Sequence, residues 1–395
     1  MRPLLTAILA VATLMPSAAA AAPPRQDPDS FTPLALDVLD TPRAVKGSDG
    51  RLHVVYELRL LNTTSLPWRV TSVTSRSAIG RGRVLARWSG RRVRGVLRSL
   101  RTRNDTRTVG PGEGALLHLT FRTRTRTRAR MPARLVHVLQ LANLNPSNGA
   151  PARLVEVGAR TRVIRRAPAV LGPPLAGSRW VAADGCCLAR RHIRAFQPVG
   201  GGIFNAQRFA IDWERLDASG RLWVGDDAVL TNWEGYGENI LAVADGTVVR
   251  AIDGLPNQVP GALPHGLDPL QADGNAVFLR LRDGRIVFYA HMIPGSVTVK
   301  AGDRVVRGEI LGRVGNSGNS SAPHLHLHVI DRNAIFAANG LPYVFSRFQV
   351  TGRIASTAAF NHAEATGTPA RLRPVRTGPR RNELPLDQVI VTWPG

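Results

Sequence analysis

Three histidines, His324, His326 and His328, stand at strict period two in the run Ala322-Pro-His-Leu-His-Leu-His-Val329, and they are three of the ten in a chain of 395 residues. In a β-strand, residues two apart share a face, so the three imidazoles emerge side by side. Imidazole is the commonest protein ligand for zinc and the usual general base near neutral pH. A strand face turned only to water is more often built of Thr, Lys and Glu. The run follows a turn-rich stretch, Gly315-Asn-Ser-Gly-Asn-Ser-Ser321.

A catalytic zinc needs about three protein ligands and one open position for water, so another element must contribute. Gln207-Arg-Phe-Ala-Ile-Asp-Trp213 alternates as a strand does, and Asp212 near its end is the best carboxylate candidate. His291 closes the strand pattern Val287-Phe-Tyr-Ala-His291 and suits an acid–base or transition-state donor role. Ile240–Ala244, Ala276–Leu281 and Arg285–His291 read as further strands, and the Asp-Gly pairs at 245–246 and 283–284 predict hairpins. Two other chemistries are excluded. The glycine-rich run 312–318 lacks a Gly-Lys-Ser/Thr ending and precedes a strand, so it is not a phosphate loop. The run Val299–Leu311 resembles a lipoyl- or biotinyl-carrier hairpin, but the hairpin tips carry no lysine.

The apolar stretch Leu4–Met15 follows Arg2 and ends in small residues at 17–22, the pattern of a cleaved secretory signal over 1–22. Cys186 and Cys187 are adjacent, and a disulfide between neighbours closes almost no loop, so stability must come from apolar cores. The net charge of +24 is concentrated: between Phe31 and Arg166 there are 27 Arg and Lys against 7 Asp and Glu, a net of +20. Within that span, every second residue of Arg122–Arg130 is arginine. Runs such as Arg51–Leu61 and Ala115–Phe121, bounded by Gly-rich turns, predict an all-β immunoglobulin-like sandwich over 31–165. A Pro/Gly-rich linker is expected at 166–177, the histidine domain at 178–360, and an extended Pro/Arg-rich tail at 361–395. The basic domain is expected to meet anionic polymers of the cell envelope. Nucleic acid is disfavoured by the export signal and by the few aromatics available to stack on bases.

Taken together, Asn239–Val249, Tyr289-Ala-His291-Met292, Val299–Gly312, Gly315-Asn-Ser-Gly318 and Pro323-His-Leu-His326 resemble, in order and spacing, the M23 (lysostaphin/LytM-like) zinc metallopeptidases over about 200–335. The resemblance implies an antiparallel β-sheet core of the M23/duplicated-hybrid type. It also implies zinc-dependent hydrolysis of peptidoglycan peptides in the periplasm or outside the cell. Carried over by position, Asp212 and His326 are zinc ligands, and His291 and His324 are the catalytic histidines.

One ligand does not carry over. The family's first motif is His-x-x-x-Asp, and four residues before Asp212 stands Arg208, which cannot ligate a metal. Three readings follow. His328 completes an Asp212/His326/His328 site; or His192, in Arg190-Arg-His-Ile-Arg194, is brought in by a loop; or metal binding is lost. In the last case the domain binds peptidoglycan or regulates a cell-wall amidase without cutting.

Overall fold

The computed structural model describes residues 29–80, 82–123, 127–146, 150–188 and 190–394. The signal expected at 1–22 lies outside them, as does the middle of the Arg-Thr run at 124–126. The described chain is almost entirely β, and the large sheets of its two main bodies are antiparallel.

The front body is a sandwich of two five-stranded sheets. One is centred on Leu52–Asn62, paired along its whole length with Gly114–Arg122. The other is centred on Trp68–Ser77 and Arg134–Asn143. Alternation explains the packing: Val54, Tyr56, Leu58 and Leu60 point into the sandwich core with Leu117, Leu119 and Leu139. The residues between them, His53, Val55 and Glu57, take the opposite face. That face is covered too, since all three are buried and Val55 joins the core of the second body.

The second body is built on a ten-stranded antiparallel sheet. Its central order is Asn275–Arg280, Ile286–Met292, Leu325–Ile330, Ile211–Arg215, Trp180–Ala183, Val389–Thr392 and Phe348–Arg353. The histidine strand Leu325–Ile330 sits mid-sheet, fully buried on both faces. No helix among the described residues is long and apolar enough to cross a membrane.

Three expectations need correction. Residues 361–395 are not an extended tail: the helix Thr357–Thr366 starts at its Ser356 cap, and Val389–Thr392 inserts between Trp180–Ala183 and Phe348–Arg353. The proline- and arginine-rich composition hid an apolar Val-Ile-Val strand and the buried Trp393. Residues 166–177 are not a free linker, because Ala169–Leu171 pairs in parallel with Tyr343–Phe345 and Leu171 and Leu175 are buried. Finally, Asp283-Gly284 does turn a hairpin between Asn275–Arg280 and Ile286–Met292. Asp245-Gly246 does not, because Asn239–Leu241 pairs instead with Ile310–Arg313.

A buried carboxyl in the sandwich makes stability depend on pH. Glu156 is 2 % exposed, and burial pushes it up to about 8 against the opposing bond from the Leu34 N–H. Between about pH 4.5 and 8 the folded state therefore holds a proton that the unfolded chain releases. This contribution is fully present below the lower value and lost as pH rises through the upper. Glu156→Gln should match wild type in urea denaturation near pH 4 and exceed it near pH 9, by up to about 4 kcal/mol.

Candidate active site

Asp212 is the hub. It is the register partner of His326 across the paired strands Ile211–Arg215 and Leu325–Ile330, which puts the two side chains on one face at one level. Asp212 Oδ1 lies 2.7 Å from His326 Nδ1 and 3.4 Å from His324 Nε2, while Oδ2 lies 3.2 Å from His192 Nε2. His192 comes from outside the sheet, on the short 3-10 turn Arg191–Arg194. The ligand atoms of His192, Asp212 and His326 all lie within 4.8 Å of one another. His291, His324 and His326 form a second such set that shares His326.

Each imidazole has its second nitrogen occupied. His192 Nδ1 donates to the Asp184 carbonyl at 3.0 Å, His291 Nδ1 to the Ser317 carbonyl at 2.7 Å, and His324 Nδ1 to the Ala322 carbonyl at 2.8 Å. A ring that gives its Nδ1 proton to a carbonyl presents a lone pair at Nε2 when it is neutral. Ligating histidines are held in this way, by a bond from the nitrogen that does not face the metal. His291 adopts a left-handed backbone, φ 65°, at the end of its strand. Such strain persists only where surrounding structure imposes it, and it clusters at functional sites.

Glycine makes the Ser317 acceptor possible. Gly274 and Gly318 both have positive φ and pack backbone to backbone. A Cβ on Gly318 would stand 2.3 Å from Gly274 N, and one on Gly274 2.4 Å from the Ser317 carbonyl oxygen. The contact lets Ser317 Oγ accept from Asn275 N–H and donate to the Met292 carbonyl, fixing the carbonyl that receives His291. The turn-rich run was visible in the sequence, but its role as a clamp on His291 was not.

Two site expectations change. His328 does not converge on Asp212. It sits behind His326, its Nδ1 2.9 Å from His326 Nε2 and its ring against Phe288. Burial, then neighbouring His326, holds His328 well below the usual histidine value, so it is neutral. Two residues apart on one strand, the rings line up in series. Arg208, in turn, is not in the strand that Gln207–Trp213 suggests but in a turn before it, and its guanidinium points away from Asp212. It forks onto Glu57 of the front body (Nε–Oε1 3.0 Å, Nη2–Oε2 2.8 Å), with Asp40 and the Gly340 carbonyl also accepting from it.

Electrostatics follow from this hub. Burial alone would raise Asp212, but His192, His324 and His326 together hold it well below the usual carboxylate value. Burial opposes charge on His192, yet Asp212 pushes it up to about 9. Burial, His324 and His326 hold His291 well below its ordinary value. One carboxylate and two imidazoles, each ring oriented by its other nitrogen, match the donor preference of a three-ligand zinc site with an open position.

Residues 233–337 match the model of peptidase family M23. Over those residues the chain is similar to M23 peptidases. Cell division protein DipM of Caulobacter vibrioides is 33 % identical over 87 residues, 22 % of this chain and 14 % of that protein, so the match spans about one seventh of the relative. Among solved structures, the lysostaphin catalytic domain of Staphylococcus simulans aligns at 19 % identity, covering 43 % of this chain and 86 % of that one with a TM-score of 0.22. A zinc-containing peptidase from Vibrio cholerae aligns at 13 %, covering 74 % and 81 %, with a TM-score of 0.21. The matched M23 span contains His291, His324, His326 and His328, whereas His192, Arg208 and Asp212 precede it.

The second body is locked to the front body through a buried cation, Arg208. Arg208 and Glu57 are 4 % and 0 % exposed. Glu57→Gln keeps the shape and removes the main counter-charge, and breaking such a pair costs about 3–5 kcal/mol. Chemical denaturation should register that loss. A change below about 1 kcal/mol would show that Asp40 alone suffices.

Proposed function

We propose that this protein is a zinc-dependent endopeptidase that hydrolyses peptide cross-links of bacterial peptidoglycan outside the cytoplasm. The observation that carries this reading is the convergence of His192 Nε2, the Asp212 carboxylate and His326 Nδ1 beside the paired rings of His291 and His324. The ligand set is Asp212, His326 and His192, with His192 standing in for the ligand that Arg208 replaces. Zinc bound there supplies a Lewis acid and a water acidified towards neutral pH.

The chain's own groups do the proton work. His291 and His324, with ring centres 4.7 Å apart, both give their Nδ1 protons to main-chain carbonyls; burial holds His291 neutral, while Asp212, 3.4 Å from His324 Nε2, outweighs burial and makes His324 the stronger base of the pair. His324 would take the proton of the attacking water, and His291 would become a donor to a developing oxyanion once that proton passes from His324 to its Nε2. His328 bonds to His326 and fixes its orientation.

Peptidoglycan as substrate is supported by the M23 match and by the likeness to a cell division protein. The basic front body suits contact with anionic envelope polymers, and export fits the signal pattern of 1–22.

Purified mature protein should contain about one zinc per chain by elemental analysis. Zinc should be lost in His326→Ala and His192→Ala, and retained with about 10–100-fold weaker affinity in His328→Ala. No zinc in wild type after reconstitution would leave a wall-binding or amidase-regulating domain instead. In a peptidoglycan digestion assay, His324→Ala should slow turnover about 10²–10⁴-fold with zinc still bound. Unchanged turnover would remove His324 from the mechanism.

A further inference from the structure

The loop that carries His192 is fastened at both ends, and the two ends belong to different bodies. At its start, Asp184 takes the His192 Nδ1 proton and pairs with Arg191 at 3.1 Å. A disulfide joins Cys186 to Cys187, and the Cys186 carbonyl accepts from Asp387 N–H at 2.8 Å. All of these lie in the second body. Beyond His192 the partners change. Arg194 Nη1 reaches Asp105 Oδ1 at 2.6 Å, and Nη2 reaches the Gly95 carbonyl at 2.8 Å, with the side chain 13 % exposed. Phe196 stacks on His118 (ring centres 6.0 Å, planes 30° apart), and the Arg103 guanidinium stands 4.1 Å from its ring centre. Asp105, Gly95, His118 and Arg103 all belong to the front sandwich. Asn205 closes the frame, donating to the Ile193 carbonyl at 2.7 Å and lying 3.3 Å from Glu57 Oε1. Glu57 and His118 are register partners on adjacent front-sheet strands, so one face of that sheet supplies both supports.

We infer that the front sandwich is a working part of the metal centre: through Arg194–Asp105 and the Phe196–His118 stack it positions His192 for ligation. The inference rests on the ligand set proposed above. Asp212 and His326 are held by the strand ladder and need no such help. His192 is instead on a 3-10 turn of four residues outside the sheet, its carbonyl accepting from Ala195 N–H. Without the front body's hold, binding a metal would have to order that loop, and loss of such outer support weakens metal affinity about 10–100-fold. Arg194 and Asp105 are positioning residues. Neither is a ligand.

The test is zinc affinity of the full chain, by competition with a chromogenic chelator, together with the visible absorption of the cobalt-loaded protein. Arg194→Gln and Asp105→Asn should each weaken zinc about 10–100-fold, approaching His192→Ala, and should shift the cobalt bands as His192→Ala does. Asp105→Glu should recover most of the affinity. Arg101→Gln removes an exposed ion pair elsewhere in the sandwich, with Glu113, and should change nothing. Thermal unfolding with chelator present establishes that each variant folds. If His192→Ala weakens binding while Arg194→Gln and Asp105→Asn bind as wild type, the inference fails and the ligand set stands. If Arg101→Gln weakens binding equally, the effect is general loosening and the inference also fails. If His192→Ala binds as tightly as wild type, or wild type holds no metal, the ligand set is wrong and the inference falls with it.

Discussion

A guanidinium taken out of water must be paired, and the pairing of Arg208 decides how the two bodies of this protein meet. A buried cation without partners costs several kcal/mol, and its planar fork is satisfied best by a carboxylate that approaches side-on. Glu57 does so from the middle of the strand Leu52–Asn62, and Asp40 and the Gly340 carbonyl take the remaining donors. The consequence reaches well beyond one ion pair. Because Glu57 faces away from the sandwich core, satisfying it buries the second face of the front sheet. His53, Val55 and His118 are covered with it, and a surface that alternation marks as outer becomes an interior. The segment Glu383–Leu386 adds to this seam, with Leu384 N–H donating to the Lys46 carbonyl and Ser48 N–H to the Leu384 carbonyl.

On the other side of that seam, the site is arranged around one carboxylate. Asp212 is reached by three imidazoles, those of His324, His326 and the loop residue His192, and neither these rings nor that of neighbouring His291 is free to turn. Main-chain carbonyls of Asp184, Ser317 and Ala322, and the Nδ1 of His328, each fix one ring. Rigid carbonyl acceptors set tautomer as well as direction, so the free nitrogens of His192, His291 and His324 are specified by backbone geometry. That explains why a glycine pair, Gly274 and Gly318, matters to a histidine distant from both in the chain: it brings the Ser317 carbonyl to His291.

Much of this was legible in the sequence. Period two placed His324, His326 and His328 on one strand face, the alternation around Asp212 found the facing strand, and the front sandwich followed from its short alternating runs. What failed did so for identifiable reasons. A shared face does not mean a shared centre: His326 and His328 lie on one face of the strand, yet their rings stand edge-to-face in series and only His326 reaches Asp212. The third member of the cluster, His192, lies on a loop whose sequence has no period, so only its chemistry made it a candidate. The tail was misjudged because composition outweighed pattern, its prolines and arginines surrounding a four-residue strand that is buried in the sheet. Arg208 was recognised as an anomaly at a ligand position. Its partner, 151 residues away, could not be read from spacing, since Glu57 looks like any polar residue on an alternating strand.

The same contacts bear on the charge asymmetry. Only seven acidic residues accompany the 27 cations between Phe31 and Arg166, and three of them, Asp40, Glu57 and Asp105, are turned to Arg208 and Arg194 of the other body. The front body thus concentrates its scarce negative charge at the seam. Docking a strongly cationic sandwich onto another surface is opposed by any cation that surface buries, and local carboxylates remove that opposition where the approach is closest. Away from the seam the balance shifts further toward arginine than the net charge of the segment suggests. Exposed cations there are paired sparsely, as Arg59 is with Asp37 and Arg101 with Glu113. The rest of the front body is therefore left with a larger cationic excess because the seam has taken three of its seven anions.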